Sequence, residues 1–146
     1  MSYSFEAVLR NDMKELAGLP PRLEAFAEEA GLPPDVAMHV DLVLDELLTN
    51  TIGYGYPDGR EGRIFLHMVV DDALTITIAD DGIAFDPLSV PDPDTDSDLE
   101  HRQIGGLGVY FVKTMMDEVS YHRLDGQNRL TLVKRLTTGQ RDADND

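Results

Sequence analysis

A long helical pattern between Pro33 and Gly55 constrains the fold of this chain more than any other feature of its sequence. Apolar residues recur along it at spacings of three and four, which places them on one side of a helix. They are Val36, Val40, Val43, Leu44 and Leu47. A helix with one apolar side must bury that side against a second layer, so we expect a layered domain.

Short apolar runs separated by turn residues predict the other layer. Five strands are expected, at residues 3–9, 63–70, 73–79, 118–123 and 128–136. Two further helices are expected, at 11–30, divided at Pro20-Pro21, and at 109–116. Because helices cluster early and hairpins dominate, the order predicts an α+β two-layer sandwich. In it a mixed, mostly antiparallel sheet carries helices on one face.

Size and composition indicate one globular domain. The 146 residues are 42% hydrophobic, and we expect a single domain at 1–137 followed by a polar tail at 138–146. The chain has no cysteine, which excludes disulfides and thiolate metal sites. No apolar run is long enough to span a membrane, and the N-terminus does not resemble a signal peptide, so we expect a cytoplasmic protein.

The chain is strongly acidic, with 28 acidic and 12 basic residues and a formal charge of -16. This charge argues against nucleic acid as a direct partner, because phosphate contacts need clustered Lys and Arg, and it could favour a basic protein partner. Residues 87–104 combine an acidic cluster with little periodicity, so we predict a long loop there. Such a loop could act as a lid, although acidic loops are more often simply solvated.

Glu46 and Asn50 are the first candidate site residues. They are four apart, so on a helix they project from one face, one turn above the other. An amide oxygen is a neutral ligand for a hard cation, and a carboxylate can take a proton. The pair alone is equally consistent with the polar face of an amphipathic helix.

Two more segments could serve the same ligand. Asp80, at a strand end and followed by Gly82, could accept a hydrogen bond from an amino group such as that of adenine. The glycine-rich segment 105–108 precedes a helix, where free backbone N–H groups could contact phosphates. Either segment alone is more often an ordinary turn.

Together and in this order, the three segments closely resemble the N, G1 and G2 boxes of the GHKL (Bergerat-fold) ATPases. The stretches 44–50, 55–57 and 105–119 are similar to the anti-sigma-factor serine kinases of the RsbW and SpoIIAB type. The closing stretch 130–136 also resembles their last strand, so the match covers nearly the whole chain.

The resemblance implies a site for ATP and Mg²⁺. It makes Asn50 the Mg²⁺ ligand and Glu46 the general base, while Asp80 reads the adenine amino group and Gly82 allows the turn beneath the base. The phosphates would lie against Gly105, Gly106, Leu107 and Gly108. Arg102 is a further candidate for the γ-phosphate, with a solvated loop arginine as its alternative.

The resemblance also implies a function and partners. It predicts a regulator that phosphorylates a Ser or Thr of an anti-anti-sigma (STAS-domain) partner, sequesters a sigma factor when free of that partner, and forms a homodimer. The alternative is a nucleotide-dependent binding module without useful kinase activity. Departures from the family pattern lie at Tyr54, where these kinases often carry His, at Ala84, and at Asn128–Thr131 in the last strand.

Overall fold

A computed structural model describes residues 2–86, 89 and 106–136 of the chain. In this part it contains nine elements in the order β1 Tyr3–Arg10, α1 Met13–Ala17, α2 Leu19–Ala30, α3 Pro34–Gly55, β2 Arg63–Val70, β3 Ala73–Asp80, α4 Gly106–Met115, β4 Glu118–Leu124 and β5 Gln127–Arg135. The predicted lid at 87–104 falls almost wholly outside the described residues. Arg102, Gly105 and the predicted tail at 138–146 also lie outside them.

The five strands form one sheet in the order β1-β2-β3-β5-β4, and every neighbouring pair is antiparallel. The β4–β5 hairpin turns at Asp125 and Gly126, which both have positive φ. It inserts β5 beside β3, so that Asn128 stands directly opposite Asp80. The predicted α+β sandwich is confirmed, and the end of β3 now has a polar neighbour from the last strand.

One face of the sheet carries the core. Alternate residues of β2 and β3 are buried there, in agreement with their period-two sequence pattern. From the helical layer α3 contributes Val43, Leu44, Leu47 and Leu48, none more than 1% exposed. Burying each such leucine is worth roughly 1.5–3 kcal/mol. The apolar stripe of α3 therefore anchors this helix rigidly to the sheet.

The predicted helix at 11–30 is divided slightly before Pro20-Pro21, where the sequence predicted the division. Asp12 caps α1 by accepting from the Lys14 N–H at 3.0 Å, and the break falls at Gly18. Pro20 and Pro21 then lie in the first turn of α2, where a missing N–H costs nothing because it would have no intrahelical partner. Among the described helices, none combines the length and apolarity that a bilayer crossing requires.

Candidate active site

The polar pair on α3 is directly bonded. Asn50 Nδ2 donates a hydrogen bond to Glu46 Oε2 at 2.8 Å, and both side chains are half-buried. Because only the amide nitrogen can donate to a carboxylate, this bond leaves Asn50 Oδ1 with its full capacity to bind a cation. It also holds Glu46 in one orientation with Oε1 still able to accept a proton.

Asp80 lies at the end of β3 and is only 5% exposed. Its Oδ1 accepts from the Gly82 N–H at 2.8 Å and from Asn128 Nδ2 at 2.9 Å. Burial raises the pKa of Asp80, and the two hydrogen bonds act against that rise. Since both bonds use Oδ1, the second oxygen keeps its capacity to accept from a ligand amino group.

Gly82 is required by a close approach of two backbones. Ile83 N donates to Gly55 O at 2.9 Å, which ties the last turn of α3 to the turn after β3. A Cβ on Gly82 would lie 2.6 Å from Gly55 O, closer than real Cβ atoms come to any atom. Gly82 is therefore needed because it lets these two segments touch. Its φ is not positive, although a positive φ is the more usual reason for a glycine in a turn.

Asn128 organises this end of the site, and sequence reasoning missed it. It is 5% exposed, and its Nδ2 donates to Ile83 O at 2.7 Å as well as to Asp80. Its Oδ1 accepts from Phe85 N at 3.2 Å and from the Tyr121 hydroxyl at 2.5 Å. Only the β3–β5 register reveals that an asparagine beside the last hairpin turn meets the strand-end aspartate.

Thr131 is the last residue of the stretch Asn128–Thr131 that departs from the family pattern, and it does not lie beside Asp80. It pairs with Thr77, and its place in the alternation puts it on the face of the sheet opposite Asn128 and Leu130. The side chain beside Asp80 is therefore an asparagine amide with two donors and an acceptor, rather than a threonine hydroxyl.

A small hollow lies beside Asp80. It encloses about 10 Å³, room for about one water molecule. Its lining residues are Thr51, Gly55, Ile78, Asp80, Phe85, Tyr121, Asn128 and Leu130. The ring of Phe85 contacts the ring of Tyr54 at a tilt of 34°, with centroids 5.4 Å apart. An adenine ring can enter only if this wall moves, and Phe85 stands on the loop that leaves the sheet.

A second hydrogen-bonded cluster, which we call the clip, holds the turn after β3 from outside. It consists of Tyr56, Arg60, Arg63 and Asp81. The Tyr56 hydroxyl donates to Asp81 Oδ1 at 2.7 Å, Arg63 N donates to the same oxygen at 3.1 Å, and Arg60 donates to the Asp81 carbonyl. Partial burial alone would raise the pKa of Asp81, but these bonds and the Arg60 charge hold it below its usual range. Burial, followed by the Asp81 bond, raises the pKa of Tyr56. The sequence pattern did not indicate this clip.

The glycine-rich segment opens α4 earlier than predicted. The helix begins at Gly106, so Gly106, Leu107 and Gly108 form its first turn, while Gly105 lies outside the described residues. The first-turn N–H groups of a helix have no intrahelical acceptors and attract anions. Farther along α4, Val112 and Met115 line a cavity together with Glu46 of α3.

The structure thus joins the predicted residues in two groups along α3. Asp80, Gly82 and the missed Asn128 meet the last turn of the helix, and Glu46 with Asn50 lies toward α4. From Glu46 to Gly55 the helix rises roughly 14 Å at about 1.5 Å per residue, a separation on the scale of a nucleoside triphosphate. The described residues contain no group of three or more His, Cys, Asp or Glu placed to hold a metal. A divalent ion on Asn50 would take its other ligands from phosphates and water, as Mg²⁺ commonly does.

Comparison with known proteins agrees with this fold. A family model described as a histidine kinase-like ATPase domain matches residues 9–134. The serine-protein kinase RsbW of Listeria monocytogenes serovar 1/2a is 26% identical over 109 residues, which are 71% of this chain and 69% of the relative. RsbW of Bacillus subtilis is 28% identical over 109 residues, 71% of this chain and 68% of the relative. The serine/threonine-protein kinase BtrW of Bordetella bronchiseptica is 34% identical over 93 residues, 63% of this chain and 66% of the relative.

A solved structure has the same fold. The histidine kinase domain from the Erythrobacter litoralis EL346 blue-light activated histidine kinase superposes with a TM-score of 0.56 over 86% of this chain, at 19% identity. The chain spans 63% of the length of that neighbour. Because the family model covers residues 9–134 of the 146, the chain belongs to the histidine kinase-like ATPase domain family.

Proposed function

We propose that this protein is a Mg²⁺-ATP-dependent serine/threonine kinase that phosphorylates a small anti-anti-sigma (STAS-domain) partner. When free of that partner it sequesters a target, a sigma factor in the simplest case, and it acts as a cytoplasmic homodimer. The names of RsbW and BtrW support the kinase activity. The observation that carries the proposal is the hydrogen bond between Asn50 and Glu46, which prepares a metal ligand and a proton acceptor side by side.

Each residue group has one task in this proposal. Asp80 accepts from the adenine amino group, and Gly82 allows the turn beneath the base to contact the backbone of α3. Asn50 Oδ1 ligates the metal, which when bound neutralises phosphate charge. The N–H groups of Gly105, Gly106, Leu107 and Gly108 bind phosphate oxygens at the helix N-terminus.

Glu46 acts on the protein substrate. It takes the proton of a Ser or Thr hydroxyl while that oxygen bonds to the γ-phosphorus. The bond between the γ-phosphorus and the β,γ-bridging oxygen breaks at the same time, so the products are phosphoprotein and ADP. The hydrogen bond from Asn50 keeps the Glu46 carboxylate oriented for this step.

Label transfer from γ-labelled ATP tests the proposal. Wild-type protein is incubated with Mg²⁺, labelled ATP and each purified STAS-domain protein of the same genome. It should transfer label to one of them. Glu46→Gln should lower the transfer rate by about 10²–10⁴-fold, the usual range for a lost general base, while ATP affinity stays within a few-fold. Unlabelled STAS proteins under conditions where ATP binds would refute the kinase.

A second candidate is a nucleotide-dependent binding module with little kinase activity. Tyr54 favours it, because this residue stands where the kinases that the chain resembles often carry His, and its ring contacts the ring of Phe85. This module would bind ATP and a protein partner without transferring label, and Glu46→Gln would leave both bindings unchanged.

A further inference from the structure

An open apolar groove lies between α3 and α4, on the opposite side of Glu46 from the base hollow along α3. It encloses about 330 Å³. Its lining residues are Leu42, Val43, Asp45, Glu46, Phe111, Val112 and Met115. Val43 and Val112 form a buried floor, whereas Leu42 is 51% and Phe111 is 47% exposed at the walls. Large apolar side chains around a pocket are typical anchoring points for a protein partner.

The groove leads into the polar pair of the active site. Met38, Leu42, Glu46 and Asn50 follow one another at intervals of four along α3, so each lies one turn from the next. Met38 is 55% exposed and extends the apolar surface beyond Leu42. A protein segment that places a hydroxyl against Glu46 can therefore also contact Leu42.

The α3 wall of the groove is acidic and favours a basic residue of the occupant, whereas α4 carries Lys113, and Lys134 donates to the Met115 carbonyl at the other wall. α3 carries four carboxylates, at Asp35, Asp41, Asp45 and Glu46, and neither Lys nor Arg. Asp45 is exposed on the groove wall itself.

We infer that this groove is the docking surface for the protein substrate, an inference that rests on the proposed kinase function. An apolar side chain of the substrate inserts between Leu42 and Phe111 while its Ser or Thr hydroxyl meets Glu46, and a basic residue lies opposite Asp45. Leu42 and Glu46 are separated by about 6 Å along the helix axis. An extended segment rises about 3.3 Å per residue, so the apolar anchor stands two positions from the phosphorylated residue.

Steady-state transfer to the labelled STAS protein tests the docking surface. Leu42→Asn and Phe111→Ser should each raise the KM for that protein by about tenfold or more, with kcat and ATP affinity within about twofold of wild type. Phe65→Ser is the matched control, because Phe65 is 41% exposed on the opposite face of the sheet. An unchanged KM in both groove variants overturns the docking surface and leaves the kinase proposal standing.

Cross-linking separates the two proposals further. The chain has no cysteine, so Leu42→Cys gives one attachment point for a benzophenone maleimide. Irradiation with the STAS protein should give a heterodimeric adduct, and the same probe at Phe65→Cys should give none. An adduct without label transfer would keep the docking surface while refuting the kinase. Cross-linking only to a second copy of the chain, or to its own residues 87–105, would overturn the docking surface.

Discussion

The two ends of the site on α3 are built in opposite ways. At the Gly55 end, Asp80, Gly82 and Asn128 are buried, and hydrogen bonds connect them and the Ile83 carbonyl around about 10 Å³ of space. At the Glu46 end, the groove toward α4 encloses about 330 Å³ between half-exposed apolar walls. Both are attached to one helix, whose buried stripe fixes it to the sheet.

This difference indicates two kinds of recognition. Buried groups with matched hydrogen bonds discriminate strongly, because a wrong ligand leaves a polar group unpaired at roughly 1–3 kcal/mol. An open apolar groove discriminates weakly but offers area to a macromolecule. The closed end is suited to recognition through matched hydrogen bonds, and the open end is suited to contact with a protein.

Breaking the backbone contact between Gly82 and Gly55 should have the largest effect on stability and on ATP binding. In Gly82→Ala the new Cβ meets Gly55 O, and the clash should cost roughly 3 kcal/mol, the upper part of the ~1–3 kcal/mol range for overpacking. ATP binding should fall below detection, because the turn that carries Asp80 moves away from α3. Urea unfolding and calorimetric titration with Mg²⁺-ATP measure the two effects.

Gly53→Ala is the control for that substitution. Gly53 lies in the last turn of α3, close to Gly55, and a Cβ there meets nothing within 4 Å. Replacing a helical glycine with alanine should stabilise the protein by about 0.5–1 kcal/mol and leave ATP binding intact. Equal destabilisation by both changes would mean that the Gly82 contact is unimportant.

Removing Asn128 should have the next largest effect. Asn128→Ala deletes both donors that reach Asp80 Oδ1 and Ile83 O, and it leaves Phe85 N without its acceptor. We expect a loss of about 2 kcal/mol, within the ~1–3 kcal/mol cost of unpaired buried groups. Adding Asp80→Asn to the Asn128→Ala variant should recover part of it, since a neutral amide is cheaper to bury than a carboxylate.

A double-mutant cycle sharpens this prediction. Asp80→Ala, Asn128→Ala and the double variant should be non-additive by at least about 0.5 kcal/mol in urea unfolding, because each single change removes the hydrogen bond between the two residues. Asn128→Ala paired with Thr131→Ala should be close to additive, because Thr131 lies on the other face of the sheet. Additivity in the first cycle would contradict the direct Asp80–Asn128 bond.

Local patterns predicted the elements well, because strands and helices follow from alternation and turn residues within a short window. Arg63–Val70 was predicted with its exact bounds. The pairing of β5 with β3 depends on contacts between residues far apart in the chain. No local pattern encodes that register, so the partnership of Asp80 with Asn128 was not predicted.

The site was predictable to the extent that its residues share one element. The four-residue spacing of Glu46 and Asn50 fixes their proximity on a helix, and the structure contains their bond. Tyr56, Arg60 and Asp81 interact only because the loop after α3 folds over the end of β3. Their identities suit a surface loop equally well, so a sequence pattern carries no signal for this clip.

Loosening that clip should give the smallest of these effects and a distinct pH dependence. Tyr56→Phe removes the hydroxyl that donates to Asp81, and we expect a loss of about 0.5–1 kcal/mol near pH 7, because the carboxylate is partly solvated. Tyr110→Phe, at an exposed tyrosine, should change nothing. ATP affinity should weaken only slightly, since the bonds within the turn remain.

The sign of the pH dependence follows from the lowered pKa of Asp81. A carboxyl whose pKa is lower in the folded state stabilises the protein above its unfolded value of 3.8, and this stabilisation is lost as the pH falls through the folded value. The difference between wild type and Tyr56→Phe should therefore be constant from pH 7 to about pH 5 and shrink below about pH 4. Urea midpoints measured across this range test it. A difference that grows on acidification would mean that Tyr56 stabilises the turn by packing rather than through the charged carboxylate.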